Sequence, residues 1–262
     1  MMEGSPKIAA IIQARMGSSR LPGKILMEIA GVPMLARVVE RVRQAETVDE
    51  VVVATTVERE DDVVEQFCQD QGYAYIRGDN LDVLARYLKA ARIFDADIIV
   101  RITADCPLMD PGVIDRTVNA FLESYPEAQF GTNRGLDQIE RTYPIGMDVE
   151  VMTRDVLELT FQEAVEPYQR EHVTPYLYET VGRFLKTSID ANGRYGAQRW
   201  AVDTPQDLAF VGRSMPVLLR GTILILKMLS HCLSMSQNFW RLMPRYNRRI
   251  CEMWGSFRRC RC

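Results

Sequence analysis

In the first half of the chain, short runs of aliphatic and β-branched residues alternate with segments whose apolar residues recur at helical spacing. Such short runs are typical of buried strands, whereas apolar residues three and four positions apart indicate amphipathic helices. The alternation predicts a parallel sheet with helices on both faces, a three-layer α/β/α, Rossmann-like fold. The predicted strands cover residues 8–12, 50–54, 73–76 and 97–102, and the predicted helices cover residues 34–44, 61–71 and 80–94.

The second half is less regular and predicts an α+β addition around the same core. Asp110 and Pro111 are residue types that commonly begin a helix, and the predicted helix extends to Glu123. Because no repeat or low-complexity linker interrupts the pattern, residues 1–212 are expected to form one domain. The other predicted helices cover residues 154–164 and 167–179, and the other predicted strands cover residues 128–132, 147–152, 184–188 and 199–202.

Residues 213–262 differ in character from the rest of the chain. From Val217 onward nine Lys or Arg stand against one acidic residue, whereas the part before it has 34 acidic and 23 basic residues. The tail also holds four of the six cysteines, without the paired spacing of a zinc site. We favour a shifted reading frame as the origin of this atypical tail, with an amphipathic or disordered segment as the alternatives.

Charge and hydropathy argue against two classes of partner. The acidic body lacks the clustered Lys and Arg that hold phosphate backbones, so no nucleic-acid partner is expected. A membrane span needs about 20 largely uncharged residues, and Arg220 and Lys227 interrupt the apolar run of the tail. Because the first apolar run is too short for a secretory signal, we expect a cytoplasmic protein without a membrane partner.

The segment after the first predicted strand, residues 13–24, combines small residues with three cations. Glycine and serine let backbone N–H groups approach phosphate oxygens, while Arg and Lys neutralise charge, so the loop suits a triphosphate. It is not a P-loop, since five residues separate Gly17 from Gly23 and Ile25 follows Lys24. A solvated turn with incidental cations is the alternative. The candidate nucleotide-binding residues of this loop are Gln13, Ala14, Arg15, Gly17, Ser18, Arg20 and Lys24.

Short motifs occur in a fixed order along about residues 7–211. The first reads Q-A-R-M-G-S-S-R-L-P-G-K at residues 13–24, and others lie at residues 31–35, 77–84, 101–108, 170–176 and 199–208. The ordered set resembles the cytidylyltransferase family of sugar nucleotidyltransferases, which includes the CMP-sugar-acid synthetases. The sequences of these motifs most resemble those of spore coat polysaccharide biosynthesis proteins of the SpsF type. An ordered set is far more specific than any one motif.

The resemblance implies a mainly parallel, mixed sheet of the GT-A-like nucleotide-diphospho-sugar transferase type. It implies a nucleotidyltransferase that uses Mg²⁺ to transfer CMP from CTP to a sugar or sugar acid, releasing pyrophosphate, for surface or spore coat polysaccharide. By the same resemblance Arg15, Lys24 and Asp105 are the expected catalytic residues, and Asp105 and Asp203 the expected Mg²⁺ ligands. A homodimer is an assembly that we consider.

The positions of the two aspartates permit different interpretations on residues alone. Asp105 follows the predicted strand 97–102, and ligands of open α/β sheets bind at such strand ends. Asp203 precedes Thr204 and Pro205, which is also how a helix begins, so an N-cap and a metal ligand are equally good interpretations.

Other polar residues are weaker candidates. Arg77 and Asp79 follow a predicted strand and could face the nucleotide, although helix capping is the simpler interpretation of Asp79. Asp148 and Glu150 alternate along a predicted strand, so they share one face and either line the sugar pocket or face water. His172 is a lone histidine beside a predicted helix and is not assigned a catalytic role.

Two other functions compete with nucleotidyl transfer. One is a GT-A-type glycosyltransferase that consumes a nucleotide sugar, and the other is a catalytically silent nucleotide-sugar-binding protein. Pyrophosphate release separates the first alternative from the transferase, and nucleotide binding without turnover identifies the second. The acceptor sugar does not follow from the sequence, because the irregular second half forms its pocket.

Overall fold

A computed structural model describes residues 5–136 and 141–219 of the chain. Its centre is a sheet of seven strands, and two further strands form a separate hairpin. In chain order the strands are β1 (Ile8–Gln13), β2 (Glu28–Ile29), β3 (Val32–Pro33), β4 (Glu50–Thr56), β5 (Ala74–Gly78), β6 (Ile98–Thr103), β7 (Phe130–Thr132), β8 (Glu150–Thr153) and β9 (Lys186–Ser188). The hairpin pairs β2 with β3, and the sheet has the order β5-β4-β1-β6-β8-β7-β9.

The four strands predicted in the first half form the parallel part of the sheet. β1 lies between β4 and β6, and Gln13 at its end is level with Ala54 and Thr103. β8 pairs antiparallel with β6 and with β7, and β9 pairs parallel with β7. The predicted mixed, mainly parallel sheet is confirmed, and its parallel strands end at one edge, where ligands of such sheets bind.

Helices cover both faces of the sheet because successive side chains of a strand point to opposite sides. The helices are α1 (Met34–Val42), α2 (Asp62–Gln71), α3 (Val83–Ile93), α4 (Pro111–Leu122), α5 (Arg154–Glu163), α6 (Pro167–His172), α7 (Pro175–Glu179) and α8 (Pro205–Leu219). Ile12 packs in a core with α1, α2, α4 and α8, whereas Ile11 packs in a second core with α3, α5 and α7. The predicted three-layer α/β/α architecture is confirmed.

The strand predicted at residues 199–202 does not form. Arg199 makes only an isolated bridge to Ile145. The neighbouring Gly146 has a φ of +97°, and a Cβ there would lie 2.5 Å from the backbone N of Ala201. The two segments therefore approach too closely for any residue but glycine, and they meet at one point instead of forming a ladder.

The predicted helix 167–179 is divided into α6 and α7. The break falls at Val173, whose φ of +70° lies outside the helical region. Pro175, the first residue of α7, has no N–H with which to continue the hydrogen bonds of α6. The break places His172 at the end of a helix.

The boundary predicted at residue 212 stays a prediction. Helix α8 runs across it to Leu219, and the remaining tail residues, with their proposed frame shift, lie outside the described residues. Within the described ranges, no helix combines the length and the apolar composition required to cross a membrane.

Candidate functional site

A cleft of about 380 Å³ lies at the sheet edge where β1 and β6 end. The loops after these two strands, the start of α3, the end of α6 and the segment before α8 contribute to its lining. Residues that are distant in sequence therefore converge on one cavity. The predicted site residues found in this lining are Gln13, Ala14, Arg15, Gly17, Ser18, Arg20, Lys24, Asp105 and Asp203.

The loop after β1 is anchored at several points. Met16 donates its backbone N–H to Asp61 Oδ1 at 2.6 Å, and Gly23 donates its N–H to the carbonyl O of Met16 at 2.9 Å. A Cβ at Gly17 would lie 2.7 Å from Glu60 Oε1, so a larger residue would displace that carboxylate or the loop. The loop therefore forms a fixed wall of the cleft. Nothing in the sequence marks the fully buried Asp61 as its anchor.

Lys24 lies between the two aspartates that were predicted to bind a metal. Its Nζ donates to Asp105 Oδ2 at 2.9 Å, to Asp203 Oδ1 at 2.9 Å and to the Val202 carbonyl O at 2.8 Å. Gly23, with a φ of +70°, turns the chain into the short 3-10 helix that begins at Lys24. Three acceptors match the three N–H donors of the ammonium group, so Lys24 joins the carboxylates and does not extend freely into the cleft.

The cleft stabilises the charged forms of Lys24 and Asp105. Burial opposes the charge on Lys24, but the carboxylates of Asp105 and Asp203 outweigh it and raise the pKa of Lys24. Burial also opposes the charge on Asp105, but Lys24 and the hydroxyl of Thr103 lower the pKa of Asp105. That hydroxyl donates to Asp105 Oδ1 at 2.6 Å. Lysine and aspartate are therefore both ionised at neutral pH.

Asp203 does not cap the following helix with its side chain. Thr204 has this role: its hydroxyl accepts the backbone N–H of Asp207 at 3.2 Å, and the carboxylate of Asp207 accepts the backbone N–H of Thr204 at 2.9 Å in return, which forms a capping box. The carboxylate of Asp203 instead accepts from Arg20 at 2.9 Å and from Arg199 at 2.7 Å, in addition to Lys24. Its side chain therefore lies with Lys24 and Asp105 in a cluster of charged side chains in the cleft.

The donor set of Asp105 and Asp203 suits a divalent cation. Their side chains are 28% and 17% exposed and share the ammonium group of Lys24, so they lie within reach of one centre. Mg²⁺ prefers oxygen ligands and takes one or two protein carboxylates, with phosphate oxygens and water in the remaining positions. Within the described residues, no three His, Cys, Asp or Glu side chains form a metal cluster. A cation bound here would complete its coordination with oxygens of the ligand and of water.

Arg77 and Asp79, which were predicted to bind the nucleotide, do not line the cleft. The guanidinium of Arg77 donates to Glu65 Oε2 at 2.5 Å and to Asp62 Oδ1 at 2.7 Å, both on α2. The carboxylate of Asp79 accepts two backbone N–H groups of the turn before α3, each at 2.8 Å. Ion pairing and turn formation thus account for the positions of both side chains without a nucleotide.

Asp148 and Glu150 differ from their expected arrangement as well. Neither lines the cleft, and neither simply faces water: Asp148 pairs with Arg141, and Glu150 is fully buried. Glu150 lies opposite Arg101 in the β6–β8 register, and Arg101 lines the cleft. Glu150 therefore supports a cleft residue without touching the cavity. Its donors are Arg101 Nη1 at 2.5 Å, Tyr178 OH at 2.9 Å, Thr174 Oγ1 at 3.0 Å and Arg134 Nη1 at 3.3 Å.

We expect Glu150→Gln to destabilise the protein, because it leaves the buried Arg101 without a counter-charge. The loss should be about 3 kcal/mol at pH 7, measured by urea unfolding. Burial opposes the charge on Glu150, but Arg101 and Arg134 lower the pKa of Glu150. A lowered folded pKa gives stability that is present above the ordinary glutamate pKa of about 4.3 and is lost as the pH falls through the folded value.

The difference between the wild type and Glu150→Gln should therefore shrink as the pH falls below about 4. Glu158→Gln is the matched control, since Glu158 pairs with the largely exposed Arg92 at the surface. That control should change stability little. A Glu150→Gln protein as stable as the wild type at pH 7 would contradict the supporting role.

Several cleft residues were not predicted. Arg101 and Thr103 alternate with Asp105 along β6 and its extension, so strand periodicity was a usable signal for both. Arg86 had no such signal, because a charged residue on a helix is normally solvated. His172 lines the cleft beside the strained Val173, although the sequence gave it only a structural interpretation.

Comparisons with known proteins place the chain in one family. The cytidylyltransferase family model matches residues 9–204. Spore coat polysaccharide biosynthesis protein SpsF of Bacillus subtilis is 31% identical over 207 residues, which are 76% of this chain and 82% of the relative. A cytidylyltransferase structure from Leptospira borgpetersenii has a TM-score of 0.76 at 35% identity, covering 81% of this chain and 87% of its own.

A second similar structure is CMP:2-keto-3-deoxy-manno-octonic acid synthetase complexed with CTP. It has a TM-score of 0.61 at 25% identity and covers 81% of this chain and 99% of its own. The family match spans most of the described residues and includes the loop after β1 and both aspartates of the cleft. The chain belongs to the cytidylyltransferase family and is a nucleotidyltransferase.

Proposed function

We propose that the protein transfers CMP from CTP to a hydroxyl group of a sugar acid and releases pyrophosphate, with Mg²⁺ as its cofactor. The observation that carries the proposal is the Lys24 ammonium held between Asp105 and Asp203, below a loop that presents Arg15 and Arg20 to the same cleft. Cations and carboxylates in one cavity suit a substrate that combines a triphosphate with a divalent cation.

In the proposed reaction, the acceptor hydroxyl oxygen forms a bond to the α-phosphorus of CTP. The bond from that phosphorus to the bridging oxygen of the β-phosphate breaks, and pyrophosphate leaves. Such transfers depend on positioning and charge neutralisation more than on a nucleophilic side chain. When bound by Asp105 and Asp203, Mg²⁺ would neutralise charge on the phosphates and orient them.

The chain's own residues bind and orient the nucleotide in this proposal. Arg15 and Arg20, with side chains 38% and 58% exposed, are free enough to contact the β- and γ-phosphates. The backbone N–H groups of Gly17 and Ser18 approach phosphate oxygens without steric hindrance. Lys24, whose raised pKa keeps it charged, balances the two carboxylates beside the α-phosphate.

The acceptor is proposed to lie on the β6 side of the cleft. Arg101 lies there with a side chain only 12% exposed; Glu150 occupies its Nη1 atom, and the other N–H donors of the guanidinium suit a carboxylate of the acceptor. This favours a sugar acid over a neutral sugar. We further propose that the product serves surface or spore coat polysaccharide synthesis in the cytoplasm, by extension from the polysaccharide biosynthesis protein that this chain resembles.

The first test is a thermal-shift titration with CTP, UTP, GTP and ATP, each with and without Mg²⁺. A ligand that binds only the folded state stabilises it by about 2.7 kcal/mol at a hundredfold excess over Kd. We expect the largest shift with CTP and Mg²⁺, followed by pyrophosphate release when sugar acids are added. A cooperative melt that no nucleoside triphosphate shifts would refute the proposal, and release of a nucleoside diphosphate from a nucleotide sugar would indicate a glycosyltransferase instead.

A further inference from the structure

Asp61 is a fully buried acidic residue behind the loop that follows β1. Its Oδ1 accepts the backbone N–H of Met16 at 2.6 Å, and its Oδ2 accepts the hydroxyl of Thr56, the last residue of β4. Both oxygens therefore have donors, as a buried carboxylate requires. Asp61 thus joins the loop to the central sheet, although it does not itself line the cleft.

Met16 is held at both of its backbone polar groups. Asp61 accepts its N–H, and its carbonyl O accepts a backbone N–H from the end of the loop at 2.9 Å. Arg15 precedes this fixed residue and Gly17 follows it. In the described part of the chain, the N–H groups of Gly17 and Ser18 have no hydrogen-bond partner. The bond to Asp61 therefore fixes the loop between a guanidinium and two N–H donors that remain available to a ligand.

The charge of Asp61 cannot itself attract a triphosphate. Two negative groups repel each other, and solvent screens this repulsion less when one of them is buried. Arg86 balances part of the charge: burial lowers the pKa of Arg86, and the carboxylate of Asp61 is among the groups that oppose this shift. Any favourable contribution of Asp61 to triphosphate binding therefore comes from the loop conformation that it holds.

We infer that Asp61 is a positioning residue for the triphosphate; the inference rests on the proposed function. It acts through Met16, whose fixed N–H gives the loop its shape before the ligand arrives. The loop then presents Arg15 and the N–H groups of Gly17 and Ser18 to the phosphates. A loop that is already ordered loses less conformational entropy on binding, so it binds the same phosphates more tightly.

The test compares Asp61→Ala, which removes the acceptor, with Asp61→Asn, which keeps an oxygen for the Met16 N–H and removes only the charge. Calorimetry measures binding of CTP and of inorganic tripolyphosphate, each with Mg²⁺, at a temperature at which circular dichroism shows each free variant to be folded. We expect Asp61→Ala to bind both ligands roughly tenfold more weakly. Asp61→Asn should bind both at least as tightly as the wild type.

Asp115→Ala is the matched control. Asp115 of α4 accepts the backbone N–H and the hydroxyl of Thr47, each at 2.9 Å, so it binds the same two kinds of donor in a loop outside the cleft lining. This control should leave both affinities unchanged. Thr56→Val keeps the Asp61 carboxylate but removes the hydroxyl that orients it. It should weaken both ligands by a smaller factor, and it provides the test if Asp61→Ala does not fold.

Each other outcome overturns the inference. Tighter binding by both Asp61 variants would show that only the charge matters, and unchanged affinities would make Asp61 a purely structural residue. Equal weakening in both variants would mean that the acceptor for Met16 is not the cause. A loss for CTP without a loss for tripolyphosphate would place the effect outside the phosphate contacts. These results leave the proposed function standing, whereas a wild type that does not bind CTP removes the proposed function as well.

Discussion

Replacing Lys24 by methionine should reduce turnover by roughly a hundredfold or more and should also lower the melting temperature of the free protein. The variant leaves Asp105 and Asp203 facing each other without the ammonium group that joins them at 2.9 Å. Removing one partner of a buried ion pair costs about 3 kcal/mol or more. Because Arg20 and Arg199 still face Asp203, we expect about 3 kcal/mol at most, a fall of roughly 5–10 °C.

The effect of Mg²⁺ on stability identifies the role of the lysine. Two unpaired carboxylates bind a divalent cation more tightly than two carboxylates already neutralised by lysine. Added Mg²⁺ should therefore raise the melting temperature of Lys24→Met more than that of the wild type. Lys89→Met is the control, since Lys89 is exposed and lies outside the cleft lining. A Lys24→Met protein with wild-type turnover would refute the role assigned to this residue.

Asp105→Asn should lower the rate of pyrophosphate release by about 10³-fold while leaving the fold intact. Loss of one preorganised electrostatic group in an active site typically costs 10²–10³-fold in rate, and we expect the upper end because the carboxylate faces both Lys24 and the proposed cation. Asparagine keeps the shape of the side chain and an acceptor for the Thr103 hydroxyl, and Asp203 still pairs with Lys24, so the melting temperature should fall by less than that of Lys24→Met.

Binding measurements separate the metal from the nucleotide in the same variant. CTP alone should still stabilise Asp105→Asn, but the additional stabilisation from Mg²⁺ should disappear. Asp95→Asn is the matched control, because the side chain of Asp95 is 86% exposed and pairs only with Arg154 among the described residues. Undiminished pyrophosphate release in Asp105→Asn would remove this aspartate from the catalytic group.

The sheet and the position of the cleft followed from local patterns. Strand periodicity predicted β1 and β6, and the parallel arrangement placed the loop after β1 and Asp105 at the same edge of the sheet. Patterns of this kind depend on neighbouring residues in the sequence. Strands and helices whose formation depends only on such neighbouring residues can be predicted from the sequence.

The interpretations that local patterns could not decide concern partners that are distant in sequence. Glu150 was expected to line a pocket or face water, but its partner Arg101 lies on another strand, and only the β6–β8 register brings the two together. Asp203 and Asp207 both lie at the start of α8. The spacing of Thr204 and Asp207 is that of a capping box, whereas Asp203 contacts Lys24, which is 179 residues away in the sequence. Only the tertiary structure shows that the side chain of Asp203 belongs to the cleft.

Lys24 also links folding to activity. Its three acceptors come from the loop after β6 and from the segment before α8, so the contacts span almost the whole described chain. A nascent chain that has emerged only as far as Val202 contains Lys24 and Asp105 but not yet Asp203. Long-range closure of this kind forms after most of the chain has been synthesised. A ligand bound beside Lys24 and its three acceptors would therefore slow unfolding of the whole domain. It would not merely protect the backbone amides of one segment from hydrogen exchange with solvent.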